Sequence, residues 1–203
     1  MKVIGEIPFE IRRREIYRYL GYKNGALPDE NVKALAEECV AEIRKEAVPR
    51  LVYRIDPVSF EEQGKVIFAG TKVHSEFLSR NLAGCSRVII FAATLSSGID
   101  VLLRKYSAID VAKAMTLQAA AAETIESYID AAVALIKERE LTGGEKLKPR
   151  FSPGFGDWSI EDQRKVLALL NAGKTIGVTT AGESSMMLPS KTVTAVAGVY
   201  KSK

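Results

Sequence analysis

The chain has 203 residues, a length that fits one large domain or two small ones. Apolar residues make up 47% and charged residues 27%, a balance that excludes a disordered chain, a collagen-like fibre and a disulfide-stabilised scaffold. The net charge of +4 is mildly basic. The longest largely apolar run, residues 88–95, is far shorter than the about 20 residues that a membrane-spanning helix needs, so no membrane association is expected.

The N-terminal segment MKVIGEIPFEIRRRE does not have the pattern of a signal peptide, because Glu6 and Glu10 interrupt its apolar stretch. We therefore expect a cytoplasmic protein whose two cysteines, Cys39 and Cys85, are reduced. Arginines at 12–14 stand among aromatic residues, a combination that nucleic-acid binding or a protein-docking patch could use. The alternative is a solvated helix face, and we expect no nucleic-acid partner.

The first half of the chain predicts a mixture of helices and strands. Asp29 is placed to cap the clearest amphipathic helix, and Gly21 and Gly84 are placed to end two others. The predicted elements are an arm over 3–10, a helix over 11–21, a helix over 28–49, strands over 51–55 and 66–68 joined by an acidic turn at 61–64, a helix over 72–82 and a buried strand over 87–95.

The second half is dominated by one long helix, which Asp110 caps and which is predicted to end at Glu138. At about 1.5 Å per residue it spans roughly 43 Å, more than a compact domain with a radius of gyration of about 17 Å accommodates, so we expect an elongated or curved molecule with a groove. Its predicted apolar stripe is Met115, Gln118, Ala122, Ile125, Ile129, Ala132 and Ile136.

The remaining elements surround that helix. A short helix over 98–106 precedes it and a polar loop over 141–149 follows it. A last helix over 159–171 has Ser159 and Asp162 in capping-box spacing, and strands over 176–180 and 192–199 follow. This order favours an α+β fold in one domain over residues 1–203, with a partly antiparallel sheet.

Self-contained catalysis is poorly supported. His74 is the only histidine, it lies in a helical pattern, and a structural role is favoured. One histidine and two distant cysteines do not make a zinc site. The segment 173–175 lacks the first glycine of a phosphate-binding loop, and 154–156 lacks the frame of a dinucleotide fingerprint.

The segment 148–158, KPRFSPGFGDW, is the best candidate for a binding site. Its prolines stiffen the loop, Arg150 offers a planar fork for a carboxylate, and Gly154 lets a ligand approach the backbone. Phe151, Phe155 and Trp158 could form a platform for a flat ring. The alternative is that the aromatic residues belong to the core and that Arg150 pairs with a structural acid.

Glu123 is a second candidate, on the alanine-rich half of the long helix. The small residues 119–122 would let a ligand or another element approach that face. The alternative is a solvated acidic face made of Glu123, Glu126 and Asp130.

The segment 150–155 resembles the Arg-x-x-x-Gly-Tyr motif of the activation (reactivation) domain of cobalamin-dependent methionine synthase. The resemblance continues over 83–95 and 122–128 upstream and over 176–180 and 183–193 downstream, and so covers roughly residues 70–200. The first third of the chain is similar only to a free-standing branch of the family.

The resemblance implies a C-shaped α+β fold that binds S-adenosylmethionine and presents its methyl group to cob(II)alamin on a partner protein. Arg150 would hold the methionine carboxylate, Ser152, Gly154 and Phe155 would line the ligand, and Glu123 would meet its amino end. The implied partners are a cobalamin-dependent methionine synthase lacking its own activation domain and a flavodoxin- or ferredoxin-type reductant.

Two departures from the family pattern keep alternatives open. Phe155 stands where the motif has tyrosine, and no residue can be assigned to the N-terminal aspartate with which the family also contacts the ligand. The chain also has no corrinoid-ligating Asp-x-His-x-x-Gly motif. The chain is therefore expected to be an accessory component in methionine biosynthesis. The alternatives are an activator of another corrinoid methyltransferase and a structural or assembly partner that no longer binds the ligand.

Overall fold

An antiparallel sheet with helices on both faces organises the chain in the computed structural model, which describes residues 1–23, 25–62, 64–182 and 184–201. Six of the seven strands of this sheet follow the order β4-β3-β2-β5-β9-β6, and the seventh, β1, pairs with β2. Its strands are β1 (Lys2–Ile4), β2 (Arg50–Glu61), β3 (Lys65–Phe68), β4 (Thr71–His74), β5 (Arg87–Thr94), β6 (Glu145–Leu147) and β9 (Thr192–Lys201); β7 (Thr179–Thr180) and β8 (Met187–Leu188) form a separate pair.

Seven helices lie within the described residues. They are α1 (Arg13–Tyr19), α2 (Glu30–Glu46), α3 (Glu76–Leu82), α4 (Gly98–Ile109), α5 (Val111–Glu140), α6 (Asp162–Leu169) and α7 (Ala172–Thr175). The predicted caps of the two longest are confirmed, because Asp29 accepts a hydrogen bond from the Val32 amide at 3.0 Å and Asp110 accepts one from the Lys113 amide at 2.9 Å. None of these helices is long and apolar enough to cross a membrane.

The two faces of the sheet carry separate cores because side chains alternate along β5. Ile89 and Phe91 face the layer of α1, α2, α4 and α5, whereas Val88 and Ile90 face α3, α6 and the segment 148–158. Both cysteine thiols are free and buried. Cys39 lies in the first core and Cys85 in the second, on opposite sides of the sheet. The predicted α+β fold with a buried central strand is confirmed.

Several boundaries differ from the sequence prediction. His74 lies in strand β4 and not in a helix, because residues 71–74 pair with β3 and Ser75 then caps α3 by accepting from the Leu78 amide. The predicted loop over 141–149 contains β6, which pairs with the end of β9. The residues Gln63, in the predicted acidic turn, and Glu183, in the segment that resembles the family, lie outside the described residues.

The last predicted helix also differs. The Asp162 carboxylate accepts from the Trp158 indole at 2.9 Å, so it does not close the predicted capping box with Ser159. The helix ends at Leu169, and a further short helix, α7, follows it. Of the strand predicted over 176–180, only Thr179–Thr180 is extended, and it pairs with β8.

Candidate functional site

A groove lies beside the outer edge of β9, where the segment 148–158 crosses it. We call it the Arg150 groove; its volume is about 500 Å³, within the range of roughly 300–1,000 Å³ usual for small-molecule sites. Its lining comprises Glu126 of α5, residues 150–155, Ile160, Gln163, Met187 and residues 192–195 of β9.

The free edge of β9 forms one wall of this groove. Phe151 pairs with Val196 through two backbone hydrogen bonds of 2.9 and 2.8 Å, on the side of β9 away from β5. Backbone groups of alternate residues point to the same side of an antiparallel strand, so the amide and carbonyl of Thr194 also point away from β5. The Thr194 hydroxyl oxygen is buried and has no hydrogen-bond partner among the described residues. The wall therefore offers backbone polar groups to a ligand.

Buried contacts hold the loop that forms the opposite wall. The Trp158 ring is 1% exposed and stacks on Phe151, with ring centres 6.2 Å apart. The Gly154 amide donates to the Trp158 carbonyl at 2.8 Å, and Gly154 has a φ of +91°, a conformation that favours glycine. Phe151 and Trp158 thus contribute to the core, the alternative left open by the sequence, while Phe155 is 67% exposed at the groove.

Asp157 attaches the same loop to the start of α3. Its carboxylate accepts hydrogen bonds from the Ser75 hydroxyl and from the amides of Glu76 and Phe77, the latter two at 2.8 and 3.2 Å. These bonds, led by the one from Ser75, lower the pKa of Asp157. The ionised carboxylate is therefore the form that holds the loop against the start of α3.

Arg150 presents its guanidinium between two carboxylates of α5. Its Nη2 lies 3.1 Å from Glu126 and 3.0 Å from Asp130. Glu126 is one third exposed and Asp130 half exposed, so solvent and a ligand can reach both pairs. The groove thus combines a cation with an adjacent anion, which is the arrangement that an amino-acid zwitterion requires.

Glu123 is placed differently from the other predicted site residues. Its carboxylate is 1% exposed, accepts from Arg12 Nε at 2.7 Å and from the Ser127 hydroxyl at 2.6 Å, and does not line the groove. Arg12 also reaches Asp130 at 3.4 Å. Glu126, one turn along the helix, lines the groove instead.

The structure therefore brings Arg150, Ser152, Gly154 and Phe155 together and leaves Glu123 one turn away. Sequence reasoning missed the contribution of β9, although the resemblance reached Val193, because nothing in the strand pattern shows which edge remains unpaired. It also missed Gln163, whose amide donates to the Ser185 carbonyl at 2.7 Å. Among the described residues, no group of three histidine, cysteine or carboxylate side chains is arranged to hold a metal ion.

No family model and no curated protein matches the chain. Thirteen chains of solved structures match it. One of them, described as the crystal structure of the MetH reactivation domain bound to AdoHcy, aligns with all of this chain and 80% of its own length, with a TM-score of 0.68 and 14% sequence identity. The two proteins share a fold, and the alignment includes the N-terminal segment, where the sequence resemblance is loose.

Proposed function

We propose that the chain binds S-adenosylmethionine in the Arg150 groove and serves as a free-standing activation subunit for a cobalamin-dependent methionine synthase that lacks its own activation domain. One observation carries the proposal. A groove with paired charges lies on a chain whose fold matches, over its full length, a domain solved with AdoHcy, the demethylated form of this ligand.

The amino-acid end of the ligand has matching groups in the groove. Arg150 would exchange its contacts with Glu126 and Asp130 for the methionine carboxylate, and Glu126 would then be free to accept from the ligand's ammonium group. In this arrangement Glu126 takes the role that the resemblance gave to Glu123, whose carboxylate Arg12 and Ser127 occupy. The exposed ring of Phe155 would cover an apolar part of the ligand, with Ser152 and Gly154 beside it.

The chain would contribute binding and orientation. The partner's cobalamin would supply the cobalt that accepts the methyl group after one-electron reduction by a flavodoxin- or ferredoxin-type protein. The two surrounding carboxylates also favour a ligand with a positively charged sulfonium.

Calorimetry with S-adenosylmethionine tests the binding step. A charge-assisted contact contributes about 1.5–3 kcal/mol, so Arg150→Ala should weaken binding about ten- to a hundredfold. Arg164→Ala is the matched control, because Arg164 is exposed on α6 and does not line the groove. Unchanged affinity in Arg150→Ala would remove the groove from the proposal.

A reconstitution assay tests the activating role. It combines this chain, S-adenosylmethionine, a one-electron reductant and a methionine synthase lacking its activation domain. Methylcobalamin should form only with all four present, and equal recovery without this chain would contradict the role. Binding without activation of that enzyme would favour another corrinoid methyltransferase as partner.

The second candidate is a structural partner that has kept the fold and lost the ligand. The pairing of Arg150 with two carboxylates of α5 favours it, because these contacts already engage Nη2 of the guanidinium. If the wild-type chain releases no heat with S-adenosylmethionine or AdoHcy and is not stabilised by either, this second candidate is correct.

A further inference from the structure

A second cavity lies between α1, α4 and α5, next to the Arg150 groove. We call it the Lys191 cavity; its volume is about 770 Å³ and it shares no lining residue with the Arg150 groove among the described residues. Apolar side chains, including Leu103, Val111, Ala114, Met115 and Ala122, make up most of its wall. Met115 is 63% and Val111 is 68% exposed, so a large apolar surface faces solvent.

This cavity explains why the predicted stripe of α5 divides. Ile125, Ile129, Ala132 and Ile136 are buried in the core as expected. Met115, Gln118 and Ala122 instead line the cavity, where the described residues leave them uncovered. Methionine adapts its shape to different partners, and exposed apolar patches of this kind mark binding sites.

One charged group stands at the edge of this apolar wall. Lys191 is half-buried, and no carboxylate among the described residues forms an ion pair with it. The nearby Asp100 is engaged by Ser190, whose amide donates to it at 3.0 Å and whose hydroxyl also donates to it. Burial lowers the pKa of Lys191, and the charge of Asp100, which also lines the cavity, opposes that shift.

We propose that the Lys191 cavity binds a small apolar molecule carrying one anionic group, a carboxylate or a sulfonate, with the anion against Lys191 and the apolar body against Met115 and Ala122. Charge complementarity selects an anion, because no carboxylate among the described residues forms an ion pair with Lys191 and the carboxylate of Asp100 already accepts from Ser190. The volume fits a small molecule, since it falls within the range of such sites.

Fluorescence titration with 8-anilinonaphthalene-1-sulfonate tests this site, because the probe combines an aromatic body with one sulfonate. We expect saturable one-to-one binding to the full chain, displaced by decanoate and not by decanol or decyltrimethylammonium. Displacement by decanol as effectively as by decanoate would overturn the recognition of an anion.

Three variants locate the probe. Lys191→Met keeps the apolar stem and should weaken binding about tenfold, the loss of one charge-assisted contact. Ala122→Phe fills the cavity and should abolish binding. Lys174→Met, at an exposed position of α7, is the matched control and should bind the probe like the wild type.

Arg150→Ala separates this proposal from the proposed function. It should weaken the binding of S-adenosylmethionine and leave the binding of the probe unaffected. If probe binding is lost in Arg150→Ala and retained in Lys191→Met, the probe lies in the Arg150 groove and the proposed site is overturned. Circular dichroism of each variant checks that it is folded. A dimer in sedimentation that Ala122→Phe dissociates would show that a second copy covers the cavity, and would also overturn the proposal.

Discussion

The two faces of the sheet are built in different ways. We call the layer of α1, α2, α4 and α5 the helical face and the layer of α3, α6 and residues 148–158 the loop face. Three of the four helices of the helical face have 17, 12 and 30 residues, and only α1 has 7, whereas α3 and α6 have 7 and 8. The long helices bury most of their apolar stripes because their sequences are periodic, while the loop face depends on individual contacts made by Trp158 and Asp157. The Arg150 groove thus lies where single side chains determine the structure.

The largest expected effect comes from Trp158 on the loop face. Trp158→Ala removes a fully buried ring and its hydrogen bond to Asp162, and should lower the free energy of unfolding by about 3–5 kcal/mol. Ile129→Ala, equally buried on the helical face, should cost about 2–5 kcal/mol. Urea unfolding measures both.

The two substitutions should differ in their effect on the ligand. The Trp158 ring holds Phe151 in place by stacking on it, so its loss should abolish S-adenosylmethionine binding by the folded protein. Ile129→Ala should leave the affinity of the folded protein unchanged. If both variants bound equally well, the distinction between the faces would be wrong.

A smaller effect is expected within the helical face, at Arg12 and Glu123. Arg12→Met leaves the buried carboxylate of Glu123 without its main partner, and because Arg12 is half exposed and water can replace it in part, the loss should be about 2 kcal/mol of unfolding free energy. Adding Glu123→Gln should recover part of this loss, since no unpaired charge then remains. A double-mutant cycle by urea unfolding measures the coupling, and purely additive losses would contradict it.

The pH dependence of stability should distinguish the faces as well. Hydrogen bonds lower the pKa of Asp157, so its contribution is fully present above the unfolded-state value near 4 and is lost as the pH falls through the folded-state value. Asp157→Asn should therefore be less stable than the wild type at pH 7, and the difference should shrink toward pH 3. Ile129→Val, which changes no charge, should lower stability evenly across this range; a constant deficit in Asp157→Asn would contradict the linkage.

The difference between the two faces also explains which elements could be predicted from the sequence. The helices of the helical face follow from periodicity and from caps at Asp29 and Asp110, and strand β5 follows from its continuous apolar run. The outer strands of the sheet and the loop face were less predictable, because β4 and β6 exist only through pairing with other strands, and Asp162 bonds to Trp158 in place of closing a capping box. No local pattern carries these long-range contacts.

The charged residues of the candidate site were also only partly predictable from the sequence. The loop around Arg150 was recognisable from its prolines and glycines, and the structure gathers four of the five predicted residues in one groove. Glu123 and Glu126 lie on the same helix one turn apart, but Glu123 pairs with Arg12 and Glu126 with Arg150, and both cations are distant in sequence. Periodicity alone cannot separate the two.

The smallest effect is expected from Phe155→Tyr, which restores the residue of the family motif. The Phe155 ring is 67% exposed and its amide donates to the Ser152 carbonyl at 3.2 Å, so backbone geometry and not the ring tip holds it in position. A hydroxyl added to an exposed ring remains hydrated and gains about 1 kcal/mol at most from a ligand contact. The affinity for S-adenosylmethionine measured by calorimetry should therefore change less than about fivefold. A gain beyond tenfold would mean that the missing hydroxyl had weakened the groove, and the structural-partner alternative would then be favoured.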